Sequence, residues 1–382
     1  MAEQNLSSDV KLLFLSAMAI FMVTVVVGIL NGTDLVEFTR STLLTHVHAG
    51  TLGWITLSVF GAVIWLFLGR EAADAAQASR IHWLTVYAIL AVLLYVIAFY
   101  ADIGEILPVV GSLVFVAIVA FLILAVVQSR KTTMTIPHVL ILAAMINLTL
   151  GAIIGVLMGV GIALAEPRLL TVGAFIGHTS AMVIGYLILV GMAITEWRLV
   201  RPQVPASTDR LGLAQVIFPF VGGLTLIAGA IFDVFALIVL NVPFEIVGVA
   251  IYLVRIGRKI GHALWLGRGP APLFGMSALF LVINIGVLVY LIVNYADRFE
   301  QIPLGLVFAM NHIMFIGVMT NALFGLVSEL HPERQGVYPL AEWSIFGGMN
   351  VGLVGFAFGL VLDATILKIL FKDQRRMLLS GN

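Results

Sequence analysis

The 382-residue chain contains no cysteine. That excludes disulfides, thiolate metal sites and iron–sulfur clusters, and leaves histidine, methionine and the carboxylates as possible metal ligands. Charge is also scarce. Only 10% of residues are charged, with 20 basic and 20 acidic side chains and a net charge of zero. With no basic surplus, nucleic acid is not an expected partner. Phosphate-binding loops, dinucleotide fingerprints, nucleophile elbows and zinc-protease motifs are all missing. The N-terminal stretch MAEQNLSSDVK has no basic segment ahead of its first apolar run. Residues 11–31 therefore read as a retained helix rather than a cleaved signal.

Apolar residues are abundant. They make up 61% of the chain, and the mean hydropathy is +1.13. Long apolar runs between short charged loops predict an all-α polytopic membrane protein. At roughly 20 residues per crossing, eleven spans are expected: 11–31, 43–69, 81–101, 106–128, 137–165, 169–199, 211–231, 234–256, 271–295, 303–329 and 341–366. The boundary between the seventh and eighth is marked only by Gly-rich residues 222–230 and Asp233. The last run carries Asp363 and Lys368, which leaves room for a half-helix or a twelfth span. The whole chain, 1–382, reads as one integral membrane domain with repeat-like units of about 11–128, 137–256 and 271–382.

Lys and Arg residues set the expected orientation. With the N-terminus inside, thirteen fall on the inner side, Arg198, Arg255, Arg258, Lys259 and Arg268 among them. Three fall outside: Arg40, Arg168 and Arg298. The basic tail (Lys368, Lys372, Arg375, Arg376) obeys this rule only if a twelfth span is present. The expected location is a bacterial inner membrane, with a cytoplasmic N-terminus.

Three histidine-bearing spans recur at nearly equal spacing: HVHAGTLGW from His46, HTSAMVIGY from His178 and HIMFIGVMT from His312, 132 and 134 residues apart. His46 and His178 are each followed seven residues on by a Gly-aromatic pair, Gly53-Trp54 and Gly185-Tyr186, and nineteen residues on by Trp65 and Trp197. His312 keeps only Gly317, at a shorter offset. One architectural unit used three times is the expected arrangement. Three four-helix arcs would bring the second, sixth and tenth spans around a common axis, with His46, His48, His178 and His312 at one level in the outer leaflet. His82, His138, His262 and His331 fall at the inner face.

A histidine within an apolar span is costly unless partnered, and is a functional candidate by default. Neutral imidazole ligates haem iron, copper and zinc. Two histidines from different helices can hold a haem between them, with Ala49, Gly50, Gly53, Gly177, Ser180, Ala181 and Gly317 letting it approach the backbone. His46 and His48 lie about 200° apart around a helix, so they cannot face one point. The Gly-aromatic spacing matches His46 to His178. Glycine five residues on matches His48 to His312. Met310 and Met314 flank His312 as core residues or soft copper ligands. Asn147, Asn284, Asn311, Asn321 and Glu245 are candidates for interhelical hydrogen bonding or a proton route.

Histidines on the second, sixth and tenth spans of three arcs resemble the haem-copper oxidase subunit I superfamily, which includes the large subunits of nitric oxide reductases. The segment Thr45-His46-Val47-His48 through Gly53-Trp54 is similar to that of short subunit-I-like proteins and of NnrS-like haem and copper proteins linked to nitric oxide. The resemblance implies a low-spin haem between His46 or His48 and His312, with His178 as a second-metal ligand or alternative axial ligand. The family's second histidine on the tenth helix is missing, since only His312 is present beside Met310 and Met314. Its histidine pair on the seventh helix is missing too. A complete binuclear oxygen-reducing centre is therefore not expected.

These features together predict a membrane protein that binds haem b, alone or with copper. Its expected role is electron transfer or the handling of nitric oxide or another diatomic gas. The expected partners are the bilayer, an electron donor or a small gas. The alternative is a transporter or a proton or metal conduit that uses the same histidines.

Overall fold

The computed structural model describes residues 6–33, 35–36, 38–69, 74–267, 269–295, 297–298 and 301–362. The described chain is helical throughout, and eleven helices are long and apolar enough to cross a membrane. They are α1 (Ser7–Gly32), α2 (Arg40–Leu68), α3 (Ala75–Tyr100), α4 (Gly104–Ser129), α5 (Ile136–Ala163), α6 (Pro167–Leu199), α7 (Arg210–Phe232), α8 (Phe235–Leu266), α9 (Ala271–Tyr295), α10 (Leu304–Leu330) and α11 (Pro339–Val361). The protein is an all-α polytopic membrane protein. The expected extension of the last span to 366, and the tail with Asp363 and Lys368, lie outside the described residues.

Short polar signals start and stop these helices. Thr39 caps α2 by accepting from the Thr42 N–H, Asp74 caps α3 at Gln77, and Asp209 caps α7 at Gly212. Each satisfies a backbone donor that the first turn leaves open. Thr135 and His138 form a capping box at the start of α5. The weakly marked turn between α7 and α8 is a left-handed Asp233 (φ 53°) that reverses the chain within two residues. α8 continues ten residues past its expected end at 256, to Leu266. Arg258, Lys259 and His262, expected beyond the end of the span, therefore lie on its last turns. Charged residues there do not stop a helix, because nothing in Val254–Leu266 breaks it.

Burial separates inner from outer helices. In the most apolar window of each span, 83% of α2, 78% of α6 and 67% of α10 is buried, against at most 50% elsewhere. α1, α5 and α9 run along α2, α6 and α10 respectively, while α4 against α5 and α8 against α9 join successive units. The second, sixth and tenth spans thus form the centre of the bundle, at the equivalent place in each repeat. In lipid, side-chain packing and interhelical hydrogen bonds hold such a bundle together, because burial among tails and burial among helices are similarly apolar.

Candidate functional site

Each central helix changes its winding at the same point. Ala49–Thr56, Ser180–Leu187 and Ile313–Thr320 are π-helical turns, preceded by His48, Thr179 and His312. Such wide turns are rare and concentrate at functional sites. Each contains one of three glycines spaced 132 residues apart: Gly53, Gly185 and Gly317. A Cβ at these glycines would meet Ile20, Asn147 and Phe280 on the preceding helix. These contacts define the register of the repeat. Ile20, Asn147 and Phe280 are equivalent, and so are the residues one turn on (Thr24, Gly151, Asn284) and two turns on (Gly28, Gly155, Leu288).

In this register the four histidines are of two kinds. His46 and His178 reach back to the preceding helix. The His46 Nδ1–H donates to Thr24 O at 2.9 Å, and the His178 Nδ1–H to Gly151 O at 2.8 Å. Gly28 and Gly155 lie beneath the two rings, where a Cβ would stand 2.9 Å from Cε1 in both cases. His48 and His312 instead donate from Nδ1 one turn back on their own helices, to Leu44 O at 2.8 Å and Phe308 O at 2.7 Å. Each meets an aromatic ring of the following helix. His48 stacks on Phe99 with centroids 4.2 Å apart, and His312 meets Phe356 edge-on at 5.0 Å. Helix α2 carries both kinds, α6 only the first and α10 only the second. The two alternative alignments of the sequence are thus both realised.

A carbonyl can only accept, so these bonds put the proton on Nδ1 in all four rings. Among the described residues none of the four Nε2 atoms has a hydrogen-bond partner. A carbonyl-tethered Nδ1–H with a free Nε2 lone pair is the tautomer and orientation of a metal-ligating imidazole. Packing links the rings in two pairs across α2. Phe356, which meets His312, lies against Gly32, one turn from the Gly28 beneath His46. Tyr95, which meets His48, lies with Val156, next to the Gly155 beneath His178, around Gly111.

The inner-face histidines are used differently. His138 engages both ring nitrogens, through Thr135 and Leu66 O, and completes a helix cap. His82 pairs with Asp9 at 2.8 Å, and His331 with Glu333 at 3.2 Å.

Packing along the central helices is uneven. Past the π turns, burial is nearly continuous, as in Leu57–Trp65 and Ile188–Glu196. Before them, only Thr45 is buried in Arg40–His48, only Gly177 in Val172–Thr179, and only Ala309 and Met310 in Leu304–His312. The histidines thus occupy the loosely packed end of the bundle. The π turns themselves are tied across the axis. The Thr56 and Thr320 hydroxyls each donate five residues back, to Thr51 O and Phe315 O, both at 2.8 Å. Trp54 Nε1–H then donates to Thr320 Oγ1 at 3.0 Å. Its counterpart Tyr186 directs its hydroxyl at Thr56 without a hydrogen bond of ordinary geometry. Asn147 and Asn284 donate to Gly185 O and Met310 O, both at 2.6 Å. Asn321 pairs with Asn350. These asparagines act as helix–helix bonds.

The other end of the axis is closed by charged residues that stand near the expected inner ends of their spans. Arg198 lies over Trp65 (5.1 Å) and Trp197 (4.7 Å) and forms an ion pair with Glu329. Trp65 and Trp197 meet edge to face at 5.3 Å, which explains their recurrence. Arg255, on α8, holds Glu196 at 2.7 Å and Asp209 at 2.5 Å, and Gln215 donates to the same Glu196 at 2.9 Å. Arg198 and Arg255 are therefore interhelical clasps as well as inner-side charges. Charge counting along a sequence does not reveal a partner on another helix.

Gly28, Gly155 and the π turns are also absent from the sequence reading. The spacing Gly151-x-x-x-Gly155 was the available signal, a small-residue motif for close helix approach. Clefts of about 410 and 570 Å³ open beside Ser328, His331 and Glu342 and between α8 and α9, away from the four histidines. Among the described residues no three His, Asp or Glu side chains gather as a metal-binding group. The expected copper therefore has no three-ligand set there. Histidine pairs, by contrast, suit the two axial positions of a haem.

No family model, no curated protein and no solved structure matches this chain.

Proposed function

We propose that this chain is a membrane haem-binding protein in which His46 and His312 hold a haem b through their Nε2 atoms. The reading rests on one observation: four imidazoles at one level of the bundle have Nδ1 tethered to backbone carbonyls and Nε2 unengaged. His138, by contrast, engages both ring nitrogens in a helix cap. His46 rather than His48 is the proposed partner of His312, because Phe356, which meets His312, lies against Gly32, one turn from the Gly28 beneath His46. When bound, the haem supplies a one-electron couple whose potential its surroundings tune. The chain's own residues would orient the two ligands through Thr24 O and Phe308 O, with Phe356 packed against His312. A two-histidine set fills both axial positions, which favours electron transfer over nitric oxide or other gas chemistry. The distribution of Lys and Arg favours a bacterial inner membrane with the N-terminus in the cytoplasm and the histidines in the outer leaflet. An electron donor is the implied partner.

The test is an optical spectrum of the detergent-purified protein, oxidised and dithionite-reduced, with and without carbon monoxide. Sharp reduced α and β bands, unmoved by carbon monoxide, are expected. Combined His46→Ala and His48→Ala substitution should abolish haem retention. Absence of a Soret band after expression with ample haem would refute the proposal.

One observation favours a second reading, a proton or metal conduit. Glu245 is fully buried in α8, and its Oε1 accepts from Asn241 at 3.2 Å while Oε2 has no hydrogen-bond partner. Pro219 lies inside the neighbouring α7, and Pro243 inside α8 itself, two residues before Glu245. Proton uptake into proteoliposomes that is lost in Glu245→Gln, with no haem bound, would favour this reading.

A further inference from the structure

We infer that the chain holds a second haem between His48 of α2 and His178 of α6, equivalent by the internal repeat to the site between His312 of α10 and His46 of α2. This rests on the haem-binding reading above and extends it from one site to two.

The argument is one of register. Each site takes one histidine of each kind from adjacent central helices. The first kind, His46 or His178, donates to a carbonyl of the preceding helix and rests on a glycine, Gly28 or Gly155. The second kind, His312 or His48, donates to the carbonyl four residues back and meets a phenylalanine of the following helix, Phe356 or Phe99. One pair lies where the third unit meets the first, and the other where the first meets the second. Each pair is bridged by packing, through Phe356 on Gly32 for the first and through Tyr95 and Val156 around Gly111 for the second. The crevice between the second and third units completes the comparison. There Met310 stands in the first histidine's position and Ser180 in the second's. Leu288, only 4% exposed, replaces the glycine. Asn284, one turn before it, donates to Met310 O. The glycine accompanies the histidine in two crevices and is lost with it in the third.

The unit-two histidine is therefore an axial ligand in its own right, and α2 carries two histidines because it borders both sites. The approach of His46 to His48 along one helix places the sites on opposite sides of α2.

The experiment is haem stoichiometry on the full chain, expressed with ample haem precursor. Haem per chain is measured by the pyridine haemochromogen, alongside low-temperature electron paramagnetic resonance of the oxidised protein. The expected result is about two haems per chain and two low-spin signals for two bis-imidazole sites. His178→Ala and His312→Ala should each retain about one haem and lose a different signal, and the double variant should retain none. Added imidazole should restore the missing signal in His178→Gly, which separates a lost ligand from a lost fold. One haem per chain in the wild type, with His178→Ala unchanged, would overturn the second site and leave the single-haem proposal standing. No haem in any preparation would overturn both.

Discussion

Substituting Gly28 tests whether His46 is held as a ligand must be. A Cβ at Gly28 would stand 2.9 Å from His46 Cε1. Ordinary carbon–carbon contact is about 3.5–4.0 Å, so the overlap is roughly 0.6 Å or more. The ring can escape only by loosening its bond to Thr24 O, now 2.9 Å, or by pushing α1 away from α2. Losing that bond costs about 0.5–1.5 kcal/mol net, and overpacking a close-fitted interior about 1–3 kcal/mol. Opposing this is a gain of up to about 1 kcal/mol from replacing glycine with alanine in a helix. Thermal stability should therefore change little or fall modestly. Cofactor retention should change more, because loss of an orienting hydrogen bond to a ligand typically costs about 10–100-fold in affinity. Gly32→Ala, one turn along α1, is the matched control. Its Cβ would meet only Phe356, at 4.0 Å, so it gains helix propensity without an overlap. The assay is the rate of haem loss to excess apomyoglobin, measured beside thermal unfolding in detergent. If Gly28→Ala keeps haem as tightly as Gly32→Ala, with an unchanged spectrum, the tethered-ligand argument fails.

Other substitutions separate the site from its scaffold. Trp54→Phe removes the hydrogen bond to Thr320 across the axis and should lower stability by about 0.6–1.7 kcal/mol, read as unfolding in detergent, while haem content stays unchanged. Arg255→Gln leaves Glu196 and Asp209 without their cation and should cost about 3–5 kcal/mol. Its signature is loss of folded, monodisperse protein, partly recovered when Glu196→Gln is added. His138→Ala removes a ring that caps α5 and bonds Leu66 O. A cap is worth about 0.5–2 kcal/mol, so a lower unfolding temperature with full haem occupancy is expected, and haem loss in this variant would contradict its structural assignment.

The sequence by itself determined the membrane class, the eleven spans found among the described residues and the identity of the central helices. Hydropathy is a sum over local residues, and a repeat of 132 residues can be read without knowing the fold. It also narrowed the candidate ligands to His46, His48, His178 and His312, because an intramembrane histidine is too costly to be incidental. It did not decide how those four combine. His46 and His48 each matched a different partner in the sequence. Only the tertiary structure shows both matches to be correct, because the hydrogen bond that orients each ring ends on a carbonyl that no side-chain pattern encodes. The burial of Arg198 and Arg255 was likewise illegible, since their partners Glu329 and Glu196 are brought near by helix packing. The π turns escaped for the same reason. A widened turn is stable only when a neighbouring helix supplies the packing that holds it, as Ile20, Asn147 and Phe280 do against Gly53, Gly185 and Gly317.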